Sequence, residues 1–167
     1  MSVFVLHGPS SVGKTTVGRA LQRALGHSCV YVSVDDLWPA LPEGLPVGAK
    51  VFTDLNDVLF AQAARWAALG YDVVVDTVFE RPECATACTS LLAACDALMV
   101  ALRCPLPTLE EREARRGDRP LGLARGQAGR VYDYVASDLT VDTETHGPEG
   151  CAAIILAAMN THASMPG

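Results

Sequence analysis

The sequence predicts an α/β fold, a five-stranded parallel sheet covered by helices on both faces. Short runs rich in Val, Leu and Ile alternate with longer helical patterns, and a glycine-containing loop joins the first run to the first helix. A length of 167 residues at 50% hydrophobic content suffices for one core, so a single domain over residues 1–167 is expected. Alternation of this kind buries a parallel sheet on both sides.

Taken in order, the first strand is Val3–Leu6, reached from a start without a basic region, which argues against a signal peptide and for a cytoplasmic protein. Val17, Leu21, Ala24 and Leu25 then recur at helical spacing, and Gly26 stands where a C-terminal cap belongs. The second strand is Cys29–Val34. Thr53 and Asp54 suit a helix start; Leu55, Leu59, Gln62, Trp66 and Leu69 follow at three to four residues, and Gly70 closes the element. After the strand Asp72–Val75, a helix from near Pro82 turns Cys84, Cys88, Leu91, Leu92 and Cys95 inward. The strand Ala97–Leu102 leads to a helix opening at Pro107-Thr108, with Glu110 and Glu111 in its first turn, Arg115 and Arg116 in its last, and Gly117 beyond. From Gly117 to Gly129 the glycines Gly117, Gly122, Gly126 and Gly129, with Pro120, lie among arginines, which predicts an open lid. The strand Leu139–Val141 and an almost wholly apolar helix from about Pro148 to Met159 complete the chain.

A net charge of −6 excludes a general nucleic-acid face, and no apolar run is long enough to span a membrane. The six cysteines show no zinc spacing and read as reduced, buried thiols. The basic residues are unevenly placed: of thirteen, only Lys14 and Lys50 are lysine, and six arginines fall between Arg112 and Arg130.

Gly8-Pro9-Ser10-Ser11-Val12-Gly13-Lys14-Thr15 matches GxxxxGK[ST] between a strand and a helix, the context of a phosphate-binding loop. Such a loop wraps main-chain N–H groups around phosphate oxygens and needs glycine where the chain approaches closely or turns left-handed. Lys14 would neutralise the β- and γ-phosphates, Thr15 would offer its hydroxyl to Mg²⁺, and Thr16 would extend the cradle into the helix. The fold class sharpens to a P-loop NTPase, three-layered α/β/α, with a small arginine-rich lid. Asp35 and Asp36 follow the second strand and Asp76 ends the third, the sheet edge where ligands bind. Asp35 is the candidate general base. Asp76 would serve the metal or the acceptor, and Asp36 suits a helix cap. Arg116 and Arg119, at the hinge of the lid, are candidates for stabilising charge on the transferring group. Arg112, Arg115 and Arg125 rank behind them as a solvated face paired with glutamates.

The chain resembles the chloramphenicol phosphotransferase-like family of small P-loop kinases. The resemblance rests on Leu6–Thr15, on Val34-Asp35-Asp36-Leu37, on Val74–Phe79, on the run Arg112-Glu113 to Arg116-Gly117-Asp118-Arg119, and on Val141-Asp142-Thr143. It implies ATP- and Mg²⁺-dependent phosphorylation of a small-molecule hydroxyl, with Asp35 as base, Arg116 and Arg119 near the phosphates, and Thr143–His146 beside the adenine. By the same resemblance the acceptor wall follows the second strand, so Trp38, Leu41, Phe52 and Phe79 are its candidates. An antibiotic of the chloramphenicol type heads the possible acceptors. A metabolic, nucleotide or nucleotide-sugar kinase of the same fold and a non-catalytic nucleotide-binding regulator are the alternatives. Few cations outside the loop and lid reach the crevice, only Arg81 and Lys50, which favours a neutral acceptor. Monomer and homodimer are equally compatible with the sequence.

Overall fold

The computed structural model describes residues 1–26, 28–46, 48–117 and 120–162. Five parallel strands, β1 (Ser2–His7), β2 (Cys29–Ser33), β3 (Asp72–Thr77), β4 (Asp96–Arg103) and β5 (Leu139–Asp142), are ordered β2-β3-β1-β4-β5. Side chains alternate across each strand, and both faces are apolar, so the sheet carries two cores. Phe4, Leu6, Val74, Val100 and Leu102 face one of them, with Leu21 and Ile155 from helices above. Val3, Val5, Val73 and Val75 face the other, with Leu59, Phe60, Phe79 and Cys84.

Among the described residues six α-helices flank the sheet: α1 (Lys14–Leu25), α2 (Ala49–Ala68), α3 (Pro82–Leu91), α4 (Leu106–Arg116), α5 (Leu123–Ala128) and α6 (Thr143–His162). Gly26 and Gly117 end α1 and α4 in positive φ, 81° and 66°, as their positions predict. Elsewhere the boundaries move. Helix α2 begins at Ala49 behind Gly48, and Thr53 lies inside it with Oγ1 donating to the Ala49 carbonyl, so Thr53 and Asp54 do not start it. Helix α4 opens at Leu106, which leaves its first turn without an acidic residue and moves Glu110 and Glu111 to the second. Leu91 is exposed rather than inward. Helix α6 begins at Thr143, ahead of Pro148, and is broken at Gly147.

The expected open lid is partly a packed element. Residues 123–128 are helical with Ala124 and Gln127 buried, because the fully buried Glu113 carboxylate accepts the N–H groups of Gly122 at 2.7 Å and Ala124 at 2.8 Å. All six cysteines are free thiols. Burial pushes Cys29 up to about 11 and Cys88 up to about 12, so neither is a thiolate at neutral pH. No helix among the described residues is long and apolar enough to cross a membrane.

Candidate functional site

The carboxyl edge of the sheet opens into a cleft of about 870 Å³, lined by the loop after β1, the segments after β2 and β3, and helices α4 and α5. Gly8 opens the loop at φ 151°, and a Cβ there would stand 2.6 Å from the Leu102 carbonyl oxygen of β4, so only glycine fits. Gly13, at φ 103°, caps α1. Ser10, Ser11, Gly13, Lys14, Thr15 and Thr16 face the cleft, whereas Gly8, Pro9 and Val12 form the back of the loop. Lys14 Nζ arches over it, donating to the carbonyls of Gly8 and Pro9 at 3.0 Å each. Ser11 holds φ 62°, a conformation non-glycine residues rarely adopt, and its Oγ is buried without a hydrogen-bond partner among the described residues. A strained backbone and an unspent hydroxyl at the lip of a cradle suit an anion with many acceptor oxygens.

Three residues far along the chain, Arg112, Gln127 and Thr143, brace the loop. Thr143 Oγ1 and Arg112 Nη1 both donate to the Val12 carbonyl, at 2.7 and 3.2 Å, and Arg112 also reaches Thr143 Oγ1 at 3.1 Å. Gln127 Oε1 accepts the Ser10 N–H at 2.6 Å, and its Nε2 donates to Glu80. Spacing alone leaves Arg112 among several surface arginines and gives Gln127 no signal, because each bond spans about a hundred residues of chain. Thr143 lies in a recognised run, yet it supports the loop from the first turn of α6.

The two carboxylates occupy different environments. Strand β2 stops at Ser33, whose Oγ accepts the Asp35 N–H at 3.2 Å and caps a 3₁₀ turn over residues 34–40, so Asp36 is not the cap. Asp35 is exposed on that turn and lines the cleft. Asp76 is buried at the end of β3, where its Oδ2 accepts from Thr15 Oγ1 at 2.9 Å and Tyr31 Oη at 2.7 Å. Trp38 and Phe52 form an aromatic wall, ring centroids 6.4 Å apart. The buried Asn56 supports that wall: it accepts from Thr77 Oγ1 and donates to the Phe52 carbonyl, tying α2 to the end of β3. Phe79 does not join the wall. After β3, Val78 and Glu80 line the cleft, whereas Phe79 is buried in the core against Phe60 and His7. Leu41 is likewise packed at the edge of the core and does not line the cleft.

Of the arginines, Arg112, Arg115, Arg116 and Arg81 line the cleft. Arg115 pairs with Glu111 at 2.6 Å, and Arg125 pairs with Glu110 at 2.6 Å outside it. Arg119 lies outside the described residues. Lys50, bound to Asp54 on the surface of α2, does not reach the cleft.

The donor set fits a magnesium ion held jointly with phosphate. Mg²⁺ takes hard oxygens and keeps few protein ligands when phosphates supply the rest. The Thr15 hydroxyl and the Asp76 carboxylate provide two such oxygens at the floor of the cleft. Among the described residues no three His, Cys, Asp or Glu side chains converge to hold a metal unaided.

The profile of the family described as chloramphenicol phosphotransferase-like protein matches residues 1–160. No curated protein matches the sequence closely. Among solved structures, APS kinase from Mycobacterium tuberculosis, in complex with AMPPNP and APS, superposes with a TM-score of 0.78 at 20% identity over 95% of this chain and 97% of that one. Shikimate kinase from Aquifex aeolicus gives 0.67 at 20% identity, covering 98% of both chains. A tunicamycin resistance protein from Deinococcus radiodurans gives 0.64 at 16% identity, covering 96% of both. The common element is the P-loop kinase fold.

Proposed function

This chain belongs to the chloramphenicol phosphotransferase-like family, and on that premise we propose that it transfers the γ-phosphoryl group of ATP to a hydroxyl of a small molecule. The observation that carries the reading is that Lys14 and Asp35, a phosphate-neutralising cation and an exposed carboxylate, line one cleft.

In this reading the loop amides, the Ser11 hydroxyl and Lys14 hold the β- and γ-phosphates, while Arg112 and Thr143 keep the loop in shape through the Val12 carbonyl. Thr15 and Asp76, together with the phosphates, would hold Mg²⁺, which when bound would supply charge neutralisation on the transferring group. Asp35 receives the proton of the acceptor hydroxyl as its oxygen bonds to the γ-phosphorus and the bond to ADP breaks. Arg116 and Arg119 balance the charge that spreads over the phosphoryl oxygens. Trp38 and Phe52 hold the apolar body of the acceptor.

An antibiotic of the chloramphenicol type is the first acceptor to test. Arg81 on the cleft wall favours a second reading, an anionic acceptor such as a sugar acid or a nucleoside monophosphate. The test incubates the protein with Mg·ATP and a panel of hydroxylated antibiotics, sugar acids and nucleoside monophosphates. The expected result is acceptor-dependent ADP release with a phosphate-sized mass gain on one compound. Asp35→Asn should lower kcat for that compound by about 10²–10⁴-fold at little change in KM. Nucleotide binding without transfer to any acceptor would instead favour a regulator.

A further inference from the structure

Asp76 receives two hydroxyl donors on one oxygen, and only one of them comes from the phosphate-binding loop. The other is Tyr31, which lies beside it on β2 and whose backbone pairs with Val74 in the sheet. The tyrosine is held by a niche of its own. A Cβ at Gly18 would stand 2.6 Å from Tyr31 Cε2 and 3.3 Å from Val74 Cγ1, so the second turn of α1 is bare where the ring passes beneath it. The Arg19 guanidinium covers the ring, its Cζ 3.9 Å from the centroid. Gly18, Arg19 and the sheet thus deliver one phenolic hydroxyl to Asp76 Oδ2 at 2.7 Å. In this contact the phenol donates and the carboxylate oxygen accepts.

We propose that Tyr31 is a positioning residue for the metal–nucleotide complex: it fixes the Asp76 carboxylate, leaving Oδ1 for a divalent cation or its water and keeping Thr15 oriented. The chemistry follows from the donor directions. The Thr15 proton is committed to Asp76, so the lone pairs of Thr15 Oγ1 remain for a cation. That orientation is only as firm as the carboxylate accepting the proton, and Tyr31 removes its freedom to rotate. Groups that orient metal ligands in this way commonly change metal affinity 10–100-fold when removed. The inference rests on the kinase reading of the cleft, and it concerns metal binding rather than the acceptor.

The test is Tyr31→Phe, which keeps the ring, its fit under Gly18 and its contact with Arg19, and removes only the hydroxyl. Mn²⁺ is titrated into the protein–AMPPNP complex and followed by electron paramagnetic resonance, and AMPPNP binding is measured separately by calorimetry in EDTA. The expected result is about tenfold weaker Mn²⁺ binding with metal-free AMPPNP affinity within about twofold of wild type. Mn²⁺ binding equal to wild type overturns the proposal, as does a parallel loss of metal-free nucleotide binding, which would make Tyr31 a support of the fold alone. Gly18→Ala, which displaces the ring but keeps the hydroxyl, provides a second reading: it should weaken Mn²⁺ binding in the same sense, and unchanged Mn²⁺ binding counts against the proposal. A wild-type protein that binds Mn²⁺ and AMPPNP but phosphorylates no acceptor would overturn the kinase reading while leaving the Tyr31 result intact.

Discussion

His7 is the last residue of β1, fully buried where the chain turns into the phosphate-binding loop. Its Nε2 lies 2.8 Å from Ser137 Oγ, and the rings of Phe79 and Tyr132 enclose it at 5.2 and 5.9 Å. Burial is the main cause that lowers its pKa to about 4, and the positive charges of Lys14 and Arg103 act in the same direction. The neutral imidazole is therefore the form the fold accepts. The unfolded chain takes up a proton near pH 6.5, so the stability contributed by His7 is complete above that value and falls as pH drops toward 4. The shift is worth about 3 kcal/mol over that window. Urea unfolding at pH 7 and at pH 4.5 should show wild type losing about 2–3 kcal/mol more than His7→Asn, whose side chain does not titrate. Equal losses in the two proteins would show that His7 is not the group responsible.

At the scale of elements, helix α5 is the part that sequence and structure render most differently. Its glycines and arginines suggest an open segment, and Glu113 suggests a solvated partner for the arginines around it. The structure spends the Glu113 carboxylate on two backbone amides, nine and eleven residues downstream, and those bonds seat α5 against α4. No local pattern announces a buried carboxylate whose partners are main-chain N–H groups. The C-terminal ends of α4 and α1, by contrast, were legible because Gly117 and Gly26 stop helices by backbone conformation alone. Removing the carboxylate should release the element: Glu113→Ala leaves the buried Ala124 amide without an acceptor and frees the more exposed Gly122 amide, a cost of about 1–3 kcal/mol. Because α5 also carries Gln127 to the Ser10 amide, AMPPNP affinity should fall with it. Hydrogen exchange read by mass spectrometry should accelerate over residues 120–129 and stay near wild type in β1 and β3. Unchanged exchange in that segment would mean that α5 is held by other contacts.

For the whole molecule, the five parallel strands and the loop were legible from strand composition and one motif, since both depend on residues close in sequence, whereas the order β2-β3-β1-β4-β5 is set by pairings between distant segments. The brace around the loop was not legible either, because Arg112, Gln127 and Thr143 meet it from 100, 117 and 131 residues away. Those same bonds connect α4, α5 and α6 to the nucleotide cradle, so a ligand seated there touches a loop that most of the fold helps to hold. The net charge of −6 is no obstacle, because Lys14 and the cleft arginines concentrate positive charge at one edge of the sheet. Nucleotide binding should therefore stabilise the entire fold. At a concentration of about one hundred times its dissociation constant, Mg·AMPPNP adds about 2.7 kcal/mol, and for a chain of this size that raises Tm by roughly 5–10 °C. Lys14→Ala removes the ammonium that bonds to the loop carbonyls of Gly8 and Pro9 and that would neutralise the phosphates. With the same nucleotide concentration it should lose most of the shift. A Lys14→Ala protein stabilised as strongly as wild type would mean that the nucleotide is bound elsewhere than at the loop.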